Sequence, residues 1–337
     1  MRVQILKLLA IVTASAAAAG CGLTDPDHPG NLVPATVDDD ATIPAIEVNG
    51  SRFHAQTFGN PTKPVIVFLH GGPGGDYRGM LRLADRHGGY SLADDYFLVF
   101  WDQRGAGLSR RHGKEKLTLA IYDDDLNAIV DRYSPSRPVF LVGESWGGMY
   151  ATEYISKHPA RVAGAVLIEP GPLTGATYER VKNDLRDLPL FSEWLNDLAW
   201  STQFISADGH ARMDYELMLG IKESEPRFHE QVAVDPEPVW RLGAAVSRYL
   251  PKEGLNAKGV AVYDFTSTIA AFTAPVLFVA GELSEVLGES LQRDQVKAYP
   301  AASLVVVPNA GHDVYWTHAA EVVSHIRNYL ATRKGGL

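Results

Sequence analysis

Ser145 stands in Gly143-Glu144-Ser145-Trp146-Gly147, a Gly-x-Ser-x-Gly pattern, and a histidine follows far down the chain in Gly311-His312-Asp313. A serine hydroxyl is a poor nucleophile until a base takes its proton, an acid orients that base, and N–H donors meet the oxyanion its attack creates. The residue types present suit acyl transfer, with Ser145 as nucleophile and His312 as general base. Two carboxylates are placed to orient the histidine: Glu169, 24 residues after Ser145, is the first choice, and Glu285 is the alternative. Backbone N–H groups at Gly71, Gly72 and Trp146 are the expected oxyanion donors. A base of this kind predicts an activity that follows a group titrating at roughly pH 6 to 7.

These residues need strand ends to carry them. Pro138-Val-Phe-Leu-Val-Gly143 is an apolar, β-branched run that reads as a buried parallel strand, and Met149, Tyr150, Tyr154 and Ile155 give the segment after Ser145 an apolar helical face. A serine between them occupies a sharp strand-to-helix turn, for which Gly143 and Gly147 leave room. Pro64-Val-Ile-Val-Phe-Leu delivers a second buried strand into His70-Gly71-Gly72-Pro73-Gly74-Gly75, where backbone N–H groups approach a ligand without a Cβ in the way. Further strands are read at Tyr96–Trp101, Ala163–Ile168 (closing on Glu169), Pro275–Gly281 and Ser303–Pro308. Ile46–Val48 and Arg52–Phe58 around Asn49-Gly50 form an antiparallel hairpin ahead of them.

The remaining segments differ in character. Residues 1–20 run from Arg2 and Lys7 through an apolar stretch to small residues, the order of a secretory signal. Residues 21–43 are rich in Pro, Asp and Gly and predict a flexible tether. Residues 44–171 and 273–337 make the core, and 172–272, with helical patterns, many charges and several tryptophans, form a helical cap inserted between strands. A formal charge of −9 without a basic run in the mature chain argues against nucleic acid as a partner. A single cysteine excludes an internal disulfide, and no pattern calls for a metal or a cofactor.

Taken together, His70-Gly-Gly-Pro-Gly-Gly75, Asp102-Gln-Arg-Gly-Ala-Gly-Leu-Ser109, Gly143-Glu-Ser-Trp-Gly-Gly148 and Gly311-His312 resemble the proline iminopeptidase group of α/β-hydrolases. The resemblance covers about residues 64 to 170 and the C-terminal part. It implies an α/β-hydrolase fold, a mostly parallel sheet with helices on both faces and a helical cap. It also implies a small-molecule or short-peptide substrate, cleaved at a carboxylic ester or an N-terminal amide, and makes His70, Asp102 and Arg104 loop braces. The chain departs from the group where the acid usually stands, since Gly281-Glu-Leu-Ser284 carries serine there. That departure keeps open a non-catalytic ligand-binding protein on a hydrolase scaffold. Some relatives in the wider fold keep their acid where Glu169 lies. An aminopeptidase would also need a carboxylate for the substrate ammonium, and Glu216 of the cap is one candidate. Finally, Ala18-Ala19-Gly20-Cys21 resembles a bacterial lipoprotein signal, which implies a lipidated Cys21 and a membrane anchor in the cell envelope; simple secretion is the other outcome.

Overall fold

The computed structural model describes residues 33–182, 209–222 and 237–332. Its centre is an eight-stranded sheet of β1 (Ala45–Val48), β2 (Ser51–Phe58), β3 (Val65–Leu69), β4 (Phe97–Trp101), β5 (Val139–Glu144), β6 (Val162–Ile168), β7 (Val276–Gly281) and β8 (Ala302–Val307). The spatial order is β1-β2-β4-β3-β5-β6-β7-β8. The β1–β2 hairpin and the β2–β4 pair are antiparallel and every other pair is parallel. Asn49 and Gly50 take φ of 44° and 65° at the hairpin turn, the pair of positive values that a two-residue hairpin loop requires.

Strands β3 to β5 are apolar, save for Glu144 at the end of β5, because both faces are covered. Successive side chains feed opposite layers: Val65, Val67, Leu69 and Leu141 pack with Tyr122, Leu126, Tyr150 and Tyr154. Ile66, Phe68, Phe140 and Val142 pack with Met80, Val322, Val323 and Ile326. The first layer holds helices α1 (Leu119–Tyr133) and α2 (Trp146–Lys157). From the cap come α3 (Gly175–Val181), α4 (Ala211–Lys222) and α5 (Ala244–Tyr249). After the cap follow α6 (Glu289–Gln295), the short α7 (Val314–Thr317) and the closing helix α8 (Ala319–Ala331), which belongs to the second layer.

The described cap residues are clamped to the core by buried charge. Asp214 on α4 accepts from Arg111 Nε at 3.0 Å, Arg241 Nε at 2.8 Å and the Ala244 N–H at 2.9 Å. All three side chains are nearly or fully buried. Removing the carboxylate leaves two guanidinium groups facing each other without their counter-charge, a loss in the range of about 3–5 kcal/mol. Asp214→Ala should therefore lower the unfolding free energy measured by denaturant titration by that amount, and a change under about 1 kcal/mol would mean that water reaches the arginines.

One sequence expectation changes. Residues 33–43, assigned to a free tether, are docked onto the core: Val33 and Val37 are buried, the Val37 N–H donates to Leu108 O at 2.8 Å, and Arg241 Nη1 donates to Pro34 O at 3.0 Å. Arg110 holds Asp38 through two bonds of 2.8 and 2.9 Å. The proline and aspartate content signalled irregular backbone, while two valines and two arginine partners elsewhere in the chain supplied the packing. The rest of the tether, residues 1–20 and Cys21 lie outside the described residues, as do 183–208 and 223–236 of the cap and the side chain of Glu216.

Candidate active site

The loops at the carboxyl ends of β3, β4, β5, β6, β7 and β8 carry the residues that the motifs single out in the core. β5 runs through Glu144 into Ser145, which takes φ 51° and ψ −116°, and α2 starts at Trp146. A side chain larger than serine's neighbours allow is excluded on both sides. A Cβ at Gly143 would collide with the carbonyl of Gly147, and one at Gly147 with the carbonyl of Leu69. The turn is held by the Ser145 N–H donating to Ile168 O at 2.9 Å, and by Gly148, Met149 and Gly171 N–H groups on the Ser145 carbonyl. Ser145 itself is half-buried.

His312 lies on the loop between β8 and α7, and its Nδ1 is 2.7 Å from Glu169 Oε2. Glu169 closes β6 at φ 41°, is fully buried, and accepts two further bonds, from the Gly281 N–H at 2.6 Å and from Ser284 Oγ at 2.8 Å. Strand order explains the reach. β7 lies between β6 and β8, and at its end Gly281 has no side chain to block either partner; a Cβ there would strike the carbonyls of Ala310 and Gly311. Ser284, at the position where the resemblance expects the acid, is thus a donor to the carboxylate on the neighbouring strand. Glu285 is exposed and the structure does not bring it to His312.

On the other face of the imidazole, Glu144 Oε1 is 3.4 Å from His312 Nε2. Glu144 is buried and takes a hydrogen bond from the Gly71 N–H, so that N–H is engaged with a carboxylate; Gly72, at φ 120°, and Trp146 remain as the loop and helix positions expected to face an oxyanion. Burial pushes the Glu144 carboxyl up to about 7; Asp313 and Glu169 add to this, while His312 and the Gly71 N–H oppose it. Burial alone would lower the proton affinity of His312, but the hydrogen bond and charge of Glu169, with the charges of Glu144 and Asp313, outweigh it and raise His312 to about 10. That is above the roughly pH 6–7 range expected of an ordinary histidine. Glu237, bonded to Tyr315 and near Asp313 and Glu144, is also raised, first by burial and then by these negative neighbours.

The braces surround this centre. His70 Nε2 accepts the Gln103 N–H at 3.0 Å, Gln103 Nε2 donates to His70 O at 2.9 Å, and Trp146 Nε1 donates to Gln103 Oε1 at 3.0 Å. Asp102 holds His54 Nδ1 at 2.7 Å and accepts the N–H groups of Tyr77 and Leu108. Arg104 grips Asp125 with two bonds of 2.7 Å. Sequence reasoning passed over Glu144, and it noted Ser284 only as a missing acid, without its bond to Glu169. The signal for the first was a charged residue ending an otherwise apolar strand; for the second, no local pattern exists, since its partner is 115 residues away.

Residues 64–319 match the family described as the α/β hydrolase fold, and the chain belongs to that family. The chain is an enzyme of the hydrolase class, and several of the relatives it resembles are named proline iminopeptidase. It is 25% identical over 291 residues to proline iminopeptidase PfmaB of Pestalotiopsis fici, covering 85% of this chain and 98% of that one. It is 24% identical over 292 residues to a cis-3-alkyl-4-alkyloxetan-2-one decarboxylase of Shewanella oneidensis, covering 84% and 86%. The crystal structure of proline iminopeptidase from Mycobacterium smegmatis superposes with a TM-score of 0.58 at 19% identity, over 86% of this chain and 97% of that one.

Proposed function

We propose that the chain is an exported serine hydrolase that cleaves a small carboxylic ester or an N-terminal amide through an acyl-enzyme. The observation that carries the reading is the 2.7 Å bond between buried Glu169 and His312 Nδ1 beside the Ser145 turn. Glu169 fixes the tautomer in which Nε2 can take the Ser145 proton as Oγ attacks the carbonyl carbon. The oxyanion is met by the N–H groups of Gly72 and Trp146, and the imidazolium returns its proton to the leaving alcohol or amine. Water then repeats the cycle on the acyl-enzyme, with His312 again taking and returning one proton.

The relatives named proline iminopeptidase favour an N-terminal amide. A non-catalytic binder was suggested by serine at 284, and the bond from Ser284 to Glu169 supports the catalytic reading instead. The test is labelling with a fluorophosphonate, followed by a screen against p-nitrophenyl esters and prolyl and alanyl naphthylamides. An unlabelled Ser145 would end the proposal.

The proposal includes anchoring through a lipidated Cys21, supported by the position of the only cysteine at the end of the signal-like segment. Cys21→Ser should move the protein from the membrane to the soluble fraction or stall its processing, and unchanged fractionation would remove the anchor.

A further inference from the structure

Glu144 is a buried carboxylate that the acyl-transfer scheme does not use. It is seated between the Gly71 N–H and the Nε2 face of His312, the nitrogen that the scheme requires to be unprotonated before Ser145 attacks. The titratable groups that face it are Glu169 at the end of β6, His312 and Asp313 on the loop after β8, Tyr315 on α7, and Glu237 from the cap segment ahead of α5. Among these His312 is the only group that can carry positive charge. A carboxylate 3.4 Å from Nε2 stabilises the imidazolium over the imidazole, because the attraction exists only while the ring is charged.

We propose that Glu144 is a positioning residue for general-base catalysis, setting its negative charge beside Nε2 of His312 on the side opposite Glu169, so that the histidine works as a stronger base at the cost of an alkaline-shifted activity. The inference rests on the serine hydrolase reading. Two effects follow, and they have opposite signs. In the resting enzyme the carboxylate favours His312 protonated, so the reactive imidazole fraction falls as pH drops below the raised pKa. In the transition state, where His312 has just taken the Ser145 proton, the same carboxylate stabilises the ion it faces. The proton balance is unchanged by Glu144: one proton leaves Ser145 Oγ for Nε2 and later goes to the leaving group.

The test is Glu144→Gln, which keeps the shape and can still accept the Gly71 N–H while presenting no charge. For the wild type and the variant, kcat/KM for p-nitrophenyl acetate is measured from pH 5 to 10.5, alongside the rate of fluorophosphonate labelling at Ser145. The acid limb of the variant should move down by about one pH unit or more, a tenfold change in proton affinity. Its alkaline plateau should drop by roughly three- to tenfold as the base weakens. The two profiles should therefore cross, with the variant faster between about pH 7 and the wild-type limb and slower on the plateau. A role in packing alone would lower the rate at every pH without moving the limb, and an unmoved limb in a labelled, folded variant overturns the inference. If Glu144→Gln does not fold, Glu144→Asp keeps the charge but draws it back from Nε2, and its limb should fall partway; an unmoved limb there counts equally against it. Absence of Ser145 labelling in the wild type would remove the hydrolase reading, and this inference with it.

Discussion

Ser145→Ala should abolish turnover, lowering kcat by roughly 10⁶ when the nucleophile, base and acid act as a unit. The substitution removes one oxygen from a half-buried side chain and leaves untouched the backbone bonds that shape the turn, from the Ser145 N–H to Ile168 O and from Gly148 N–H to Ser145 O. The φ of 51° is strained for alanine as it is for serine, so the loss belongs to chemistry and the unfolding free energy should stay within about 1 kcal/mol of the parent. Burst kinetics with p-nitrophenyl acetate give the direct reading, since the variant has no oxygen to acylate. Residual activity above a few per cent would transfer the nucleophile to another residue.

The second large effect belongs to the acid. Glu169→Gln preserves volume and one carbonyl oxygen, yet an amide facing Nδ1 can present its NH₂ group and favour the tautomer with the proton on Nε2, where it blocks Ser145. The cost in kcat is on the order of 10⁴ by analogy with the same exchange in serine proteases. Glu285→Gln, an exposed carboxylate, should change kcat by less than about twofold, because water and salt screen it. The pair of measurements separates the two carboxylates that spacing alone left open. Equal small effects would mean that His312 works without an orienting acid.

How much of this was legible before the structure follows from the range of each interaction. The strands were readable because β3 to β7 are buried on both faces and apolar except at Glu144, and the glycines of the elbow announced themselves through sterics within five residues. Ser145 and His312 stood out for the same local reasons. The environment of His312 did not, because proton affinity there depends on Glu144, Glu169 and Asp313 converging from two strand ends and a loop. A sequence pattern reports residue type, whereas the shift from an ordinary histidine to about 10 is a property of distances and burial. Docking of residues 33–43 was hidden for a related reason: its partners, Arg110 and Arg241, lie far along the chain.

The hydroxyl of Ser284 on the carboxylate of Glu169 also constrains the routes by which this site can change. Replacing Ser284 with aspartate while Glu169 remains would crowd two carboxylates around one imidazole, and one of them would have to keep a proton. Removing Glu169 first would strip His312 of its partner and leave the Gly281 N–H and Ser284 Oγ without an acceptor in a buried place. Neither single step is neutral, although the double exchange leads to an arrangement of the same chemical kind. The acid's address on β6 is therefore held in place by its neighbours, and sequences descending from this one should vary at 169 and 284 together or at neither.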